Sequence, residues 1–263
     1  MNEMNRFQRR VHEAFDQAGM FYDRHAVLQR QAMLKLLTLL PESSHQVPFW
    51  LDVGSGTGLV YEALAAQLPA IDVVCFDLAA GMLKVAGTKG SRLLVQGDMH
   101  RLPFADASLP VVISNFALQW TDHPKHLLAE FSRVLSDEGI VAFSVPVQGS
   151  LQALSKGWAA AGLVPPINEL PSGKDWLDAV QKNALSVVQI WNDRLEYRDD
   201  DARQALALVR DLGAGTRKKP AMGLMSPRRW QKVLNAWSLL SEGRGYCIDY
   251  EVLWMVLAKK PPY

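Results

Sequence analysis

Asp52-Val53-Gly54-Ser55-Gly56-Thr57-Gly58 places an acid and three alternating glycines directly behind the apolar run Pro48-Phe49-Trp50-Leu51. An apolar strand that enters a glycine-rich turn and leaves as a helix is an arrangement that holds a nucleotide-type cofactor. Glycines let the backbone take positive φ and come close to a ligand, and the N–H groups of the following helix are expected to face it. A dinucleotide fingerprint would put its third glycine one residue later, where it permits close helix-strand packing under a pyrophosphate. An acid at the strand end would also repel a pyrophosphate. It suits a ligand carrying an ammonium and a sulfonium, as S-adenosylmethionine does. Asp52, Gly54, Gly56 and Gly58 are therefore assigned to that cofactor and not to NAD.

Further cofactor contacts are expected at fixed positions down the chain. The run Ile71-Asp72-Val73-Val74-Cys75-Phe76 ends in Asp77, followed by Leu78. An acid about twenty residues past the glycine loop can accept both ribose hydroxyls. The short strand at 92–96 ends in Gly97-Asp98-Met99, which offers a carboxylate for an adenine amino group and an apolar side chain for the ring face. A fourth strand at 111–114 runs into Asn115-Phe116-Ala117-Leu118-Gln119-Trp120, whose first residues are expected beside the sulfonium. Ligands bind at that carboxyl edge in open α/β sheets.

The elements that must position these residues follow from periodicity. Residues 5–18 and 25–39 show helical spacing, with Val27, Leu34 and Leu37 on the apolar face and Pro41 as a stop. After the first four strands, Asp122 is expected to cap a helix that opens at Pro124 and runs to Leu135. Residues 139–145 form a central strand, 151–161 a helix, and Ser172 caps another helix through 184. Strands follow at 187–195 and 247–257, and helix signals at 200–212 and 226–239 lie between them. The order implies an α/β fold with a doubly wound, mostly parallel seven-stranded sheet. It is read as one domain over 1–263, with an N-terminal helical segment at 1–40 and a helical lid inserted at about 199–243, before the last strand.

Composition narrows the function classes. With 49% hydrophobic and 21% charged residues, the 263-residue chain can bury a full core, and its net charge of +1 gives no basic stripe for nucleic acid. The two cysteines, Cys75 and Cys247, imply no disulfide framework. The polar start at 1–10 and the lack of any run of roughly 18 apolar residues point to a cytoplasmic protein without a membrane span. Six histidines show no HExxH pattern, and His123 and His126 have no third ligand nearby, so no metal is expected. The tryptophans, among them Trp158, Trp176, Trp191, Trp230, Trp237 and Trp254, read mostly as core, with Trp120 near the site.

Taken together these residues resemble the class I S-adenosylmethionine-dependent methyltransferases, whose domain is Rossmann-like. Phe15-Asp16-Gln17-Ala18 with Tyr22-Asp23-Arg24-His25-Ala26-Val27-Leu28-Gln29, Leu102-Pro103-Phe104-Ala105-Asp106-Ala107-Ser108, the run from Ser114 to Trp120, and Leu212-Gly213-Ala214-Gly215 narrow the resemblance. They are similar to the malonyl-acyl-carrier-protein O-methyltransferases of biotin synthesis, over nearly the whole chain. The resemblance implies that Tyr22 lies near the transferred methyl, where its hydroxyl could hold the acceptor carboxylate. On the same resemblance Gln29 could reach the cofactor, but it is read as a solvent-facing helix residue. The family's lid carries an arginine suited to a malonyl carboxylate, because guanidinium pairs with carboxylate through two parallel bonds. Aligned on Gly213-Ala214, that position falls on Ala207, and Arg210, one helical turn on, is the candidate replacement. Arg217-Lys218-Lys219, Arg228-Arg229 and Lys232 form a basic rim suited to an acidic carrier protein.

The chemistry implied is an in-line displacement, in which positioning supplies much of the rate. A carboxylate, with a pKa of about 4, is already ionised at neutral pH, whereas a phenol at about 10 needs a general base. The acceptor expected is malonyl on acyl carrier protein, or malonyl-coenzyme A. The alternative is a small metabolite such as a phenol or quinone, favoured by the missing lid arginine. A binding module without catalysis is disfavoured by the intact Asp52, glycines and Asp77.

Overall fold

The computed structural model describes residues 9, 12, 13, 15, 16, 22–68, 70–165, 167–211, 226–241 and 244–259, and among these the side chains of residues 210 and 211 are excepted. In chain order the strands are β1 (Phe49–Val53), β2 (Asp72–Asp77), β3 (Leu93–Gln96), β4 (Leu109–Asn115), β5 (Leu135–Pro146), β6 (Leu185–Asp199) and β7 (Tyr246–Lys259). The helices are α1 (Val27–Thr38), α2 (Leu59–Gln67), α3 (Ala80–Thr88), α4 (Pro124–Val134), α5 (Gln152–Ala160), α6 (Gly173–Gln181), α7 (Ala202–Asp211) and α8 (Pro227–Leu240). One seven-stranded sheet has the order β3-β2-β1-β4-β5-β7-β6. Pairings among β1 to β5 are parallel, and β7 runs antiparallel to both β5 and β6. The strand order reverses between β1 and β4, which puts a crevice at their carboxyl ends.

Both faces of the sheet are covered, and the side-chain period of two sorts its residues between two cores. Trp50, Val111, Ile113 and Trp254 pack with Leu28, Leu36 and Trp237 on one face. Their chain neighbours Leu51, Val112 and Met255 pack with Leu127, Phe131 and Trp176 on the other. Two indole donors fix helices to this frame: Trp254 Nε1 donates to Ala32 O of α1, and Trp237 Nε1 of α8 donates to Cys247 O, each at 2.9 Å. Among the described residues no helix is long and apolar enough to cross a membrane.

Local chemistry sets the helix ends. Ser172 and Asp175 form a reciprocal capping box at α6, and Ser226 Oγ accepts from Arg229 N ahead of Pro227 at α8. The cap expected at Asp122 falls one residue later, on His123, whose side chain makes no cap bond. The buried face of α1 is Leu28, Gln29, Ala32, Met33 and Leu36, while Val27 and Leu34 are 36% and 51% exposed. The stretch Ala32-Met33-Leu34-Lys35-Leu36-Leu37 is apolar nearly all round, so periodicity could not single out one stripe. Trp191, expected in the core, is 47% exposed on the edge strand β6, with Lys35 Nζ 4.3 Å from its ring centroid. Edge strands lack the neighbour that would bury them.

The motif from Leu102 to Ser108 is held by Arg133 of α4. Its guanidinium donates to Phe104 O at 2.9 Å, Leu102 O at 3.1 Å and Asp106 Oδ1 at 2.6 Å, so this family signature is structural. The segment between β6 and β7 contains α7 and α8. Leu208 of α7 packs with Ala26 and Leu59, against Tyr22 and Tyr197. Gly157 lets α5 meet α8 closely, because a Cβ there would lie 2.8 Å from Trp237 Cβ and 3.0 Å from its Cα. In an open helix Gly→Ala gains about 0.5–1 kcal/mol, but overpacking costs about 1–3 kcal/mol. Gly157→Ala is therefore expected to lose about 1–2 kcal/mol by chemical denaturation. A stabilised variant would mean that α5 and α8 are not this close.

Candidate active site

The three glycines of the turn serve different purposes. All have positive φ, at +70° for Gly54, +53° for Gly56 and +81° for Gly58. A Cβ on Gly54 would lie 2.2 Å from Ala117 Cβ, so the loop after β4 can cross the turn only over glycine. A Cβ on Gly58 would lie 3.1 Å from Ala86 Cβ of α3, which makes this residue a helix-packing position. A Cβ on Gly56 would meet nothing within 4 Å, and Gly54 and Gly56 line a cavity from which Gly58 is absent.

Hydrogen bonds within the protein fix the glycine turn itself. Gly54 N and Ser55 N donate to Phe76 O at 2.8 and 3.1 Å, and Gly58 N donates to Ser55 O at 2.9 Å. Gly56 N donates to Asp77 Oδ2 at 2.8 Å. These donors are engaged within the protein, so they form no phosphate nest. Asp77 Oδ1 accepts from Ala79 N at 2.8 Å. Burial leaves the Asp77 pKa raised, and its backbone hydrogen bonds offset only part of that rise.

The cavity spans about 830 Å³ when its open mouth is counted. Besides Gly54 and Gly56, its walls come from four further segments that meet at the carboxyl edge of the sheet. Phe76, Asp77, Leu78, Ala79 and Met82 form one, and Gly97, Asp98, Met99 and His100 a second. Phe116, Ala117 and Trp120 form the third, and His12, Phe15 and Tyr22 of the N-terminal segment the fourth. Phe15 lies edge-on to Trp120 at 5.6 Å between ring centroids and 6.2 Å from Tyr22. Phe116 has φ +53°, uncommon for a bulky residue, and its ring packs edge-on against Tyr250. Burial, then the charges of Asp77 and Asp23, push the Tyr22 phenol pKa up, so it stays protonated and can donate.

Polar contacts anchor the N-terminal segment over this cavity. Asp16 Oδ1 accepts from Gly81 N at 2.5 Å, at the N-terminal end of α3, where an anion is favoured. Asp23 Oδ1 accepts from the Thr57 hydroxyl at 2.5 Å, and its other oxygen pairs with Lys89 Nζ at 2.5 Å. Sequence reasoning assigned no role to Thr57, Lys89, His12 or His100. The signal available for His100 was its place two residues after Asp98, since Asp side chains commonly bond the backbone two residues on. Asp98 Oδ1 does accept from His100 N at 2.9 Å.

Asp52 and Asn115 lie outside the cavity lining. Asn115 is engaged elsewhere, donating through Nδ2 to Gln29 O at 3.1 Å and accepting from Ser144 Oγ at 2.6 Å, so it ties α1 to the sheet. Gln29, expected to face solvent, is 3% exposed, and its Oε1 has no hydrogen-bond partner among the described residues. Asp52 is 1% exposed, and neither carboxylate oxygen has a partner among the described residues. Burial, then the charge of Asp77, push its pKa far up, and the adjacent Cys75 thiol is pushed up to about 11. A buried acid without a partner beside a glycine-lined cavity fits a cationic ligand, since buried charges require pairing.

Arg210 lies on α7 with its side chain outside the described residues, and so do Leu212-Gly213-Ala214-Gly215 and Arg217-Lys218-Lys219. Ala207 is buried, whereas Arg228, Arg229 and Lys232 are exposed on α8. Among the described residues no group of three or more His, Cys, Asp or Glu could hold a metal ion.

The methyltransferase-domain family matches residues 51–143. A malonyl-[acyl-carrier protein] O-methyltransferase from Laribacter hongkongensis (strain HLHK9) is 33% identical, covering 93% of this chain and 87% of its own. One from Alcanivorax borkumensis is 31% identical, with 95% and 86% covered. The chain belongs to the malonyl-[acyl-carrier protein] O-methyltransferase family. It is an S-adenosylmethionine-dependent O-methyltransferase. A bifunctional biotin-biosynthesis protein from Cellvibrio japonicus matches 96% of this chain with 50% of its own length, at 29% identity. In three dimensions, a Bacillus halodurans C-125 protein assigned as a methyltransferase superposes with a TM-score of 0.60 at 19% identity, covering 88% of this chain and all of its own. The [4+2]-cyclase SpnF also superposes, with a TM-score of 0.50 at 16% identity and coverage of 81% and 76%. The fold is therefore shared beyond methyl transfer, and function has to be argued from the site.

The state of Asp52 makes a testable prediction. Its folded pKa lies above the unfolded value of about 3.9, so the folded protein keeps a proton that the unfolded chain has lost. Stability contributed by this group is present below pH 4 and falls as pH rises through the folded pKa. Asp52→Asn is expected to raise the Tm of the cofactor-free protein at pH 7.5 by at least about 2 °C, with a smaller gain near pH 4.5. Equal Tm values for variant and wild type at both pH values would show that the charge is met in another way.

Proposed function

We propose that this enzyme transfers the methyl of S-adenosylmethionine to the free carboxylate of a malonyl thioester borne on acyl carrier protein, in the early steps of biotin synthesis. The observation that carries the geometric part of this reading is Tyr22, a protonated phenol in the aromatic wall beside the glycine turn. A donor of that kind orients an acceptor that arrives ionised. The activity for which the relatives are named supplies the substrate.

In this reading Asp77 accepts the ribose hydroxyls, Leu78 and Met99 flank the adenine, and Asp98 accepts from its amino group. Gly54 and Gly56 give room for the cofactor's amino-acid end, and Asp52 balances its positive charge. When bound, the cofactor supplies an electrophilic methyl on a sulfonium. Phe15, Phe116 and Trp120 exclude water from that end of the cavity, and aromatic faces favour a cation. Tyr22 donates to one acceptor oxygen and leaves the other free for displacement. No proton need leave the acceptor, so the rate is expected to stay flat from about pH 6 to 8.

Arg210, one turn along α7 from the buried Ala207, is proposed to pair with the malonyl carboxylate during docking. Arg228, Arg229 and Lys232 on α8 are proposed to steer an acidic carrier, which affects encounter more than the bound complex. The test is methyl-labelled S-adenosylmethionine with malonyl carrier protein, malonyl-coenzyme A and a panel of phenols. Label is expected in a malonyl methyl ester. Arg210→Ala is expected to cost about 2–5 kcal/mol in kcat/KM, against a smaller, salt-sensitive loss for Arg229→Ala. Label in phenols alone would replace this reading with the small-metabolite one.

A further inference from the structure

His100 connects two walls of the cavity. It follows Asp98 and Met99 at the end of β3, lines the cavity itself, and gives Asp98 Oδ1 two hydrogen bonds, from its backbone N at 2.9 Å and its ring Nδ1 at 2.8 Å. On the other side of the ring, Nε2 lies 2.8 Å from Thr121 Oγ1. Thr121 is 1% exposed and directly follows Trp120 of the aromatic wall, and its hydroxyl oxygen also accepts from His123 N at 3.0 Å.

These partners fix the roles of each atom. A carboxylate can only accept, so Nδ1 carries the proton toward Asp98. In the neutral ring Nε2 is then the acceptor, and the Thr121 hydroxyl donates to it. Two donors on Oδ1 hold the plane of the carboxylate, and no described residue bonds Oδ2. The His100 bonds also lower the Asp98 pKa, which keeps the group ionised and purely an acceptor. An ionised oxygen of fixed direction is complementary to an exocyclic amine. It repels a carbonyl oxygen at the same place.

We infer that His100 is a positioning residue that aims Asp98 at the 6-amino group of the adenine, braced from behind by Thr121, and so sets the enzyme's preference for adenine over hypoxanthine. This rests on the reading that Asp98 faces the adenine, and the test separates the two claims. S-adenosylhomocysteine and S-inosylhomocysteine, which differ in a 6-amino or 6-oxo group, are titrated calorimetrically into wild type, His100→Phe, His100→Asn and Thr121→Val. Wild type is expected to prefer the 6-amino ligand at least about tenfold, since a bond to a charged acceptor is replaced by repulsion. His100→Phe is expected to lose most of that preference. His100→Asn, whose amide takes the place of Nδ1–H, is expected to restore much of it, and Thr121→Val to lose a smaller part.

A wild-type ratio near one would overturn both the adenine reading and the inference. A wild-type preference that His100→Phe leaves intact, including equal weakening of both ligands, would overturn the role of His100 and leave Asp98 in place. Should His100→Phe not fold, an unchanged ratio in Thr121→Val together with full loss in His100→Asn would contradict the brace.

Discussion

The carboxylate of Asp77 is the interaction on which the rest of the site depends. One oxygen holds Gly56 N in the glycine turn, and the other holds Ala79 N at the start of α3. The turn therefore cannot move without the helix beside it. With Gly54 N and Ser55 N both on Phe76 O, the turn is bound to the end of β2 by backbone and side chain together. The consequence is electrostatic as well as mechanical. Four backbone donors of the glycine turn are occupied, the partly buried Asp77 lines the cavity, and the buried Asp52 stands just outside that lining. Anions are disfavoured there, and a cationic cofactor meets the charge that burial alone would leave costly.

Around this unit the sheet brings two other loops, 97–100 and 116–120, to one edge, and the N-terminal segment closes the remaining side. Asp16 on Gly81 and Asp23 on Thr57 and Lys89 tie that segment to α3 and to the glycine turn itself. Leu208 of α7 reaches the same place, packing with Leu59 and against Tyr22. Segments more than 180 residues apart in sequence thus meet behind Tyr22, which lines the cavity.

The sheet was legible in the sequence because strands buried on both faces read as apolar runs, as in Trp50-Leu51 and Val111-Val112-Ile113. Much of the cavity lining was legible for a similar reason: Asp77, Leu78, Asp98 and Met99 stand at strand ends, and strand ends of a parallel sheet converge. Side-chain direction was not legible. Asn115 stands at a strand end too, yet it turns to Gln29 and Ser144. Asp52 lies outside the cavity lining, and Gly58 packs a helix. Gln29 and Trp191 exchanged surface and core because α1 is apolar on more than one side and β6 is an edge. Contacts between distant segments, such as Asp23 with Thr57 or His100 with Thr121, leave no periodic trace and became visible only in three dimensions.

The central claim is that Asp77 both shapes the glycine turn and receives the cofactor's ribose. Calorimetric titration of wild type and Asp77→Ala tests it most directly, using S-adenosylhomocysteine, its analogue lacking both ribose hydroxyls, and NAD. Wild type is expected to bind S-adenosylhomocysteine and not NAD, and to favour the hydroxyl-bearing ligand over its analogue by about 1.5–3 kcal/mol. Asp77→Ala is expected to lose that difference while remaining folded by circular dichroism. A folded Asp77→Ala protein that still favoured the hydroxyls as strongly as wild type would contradict the account.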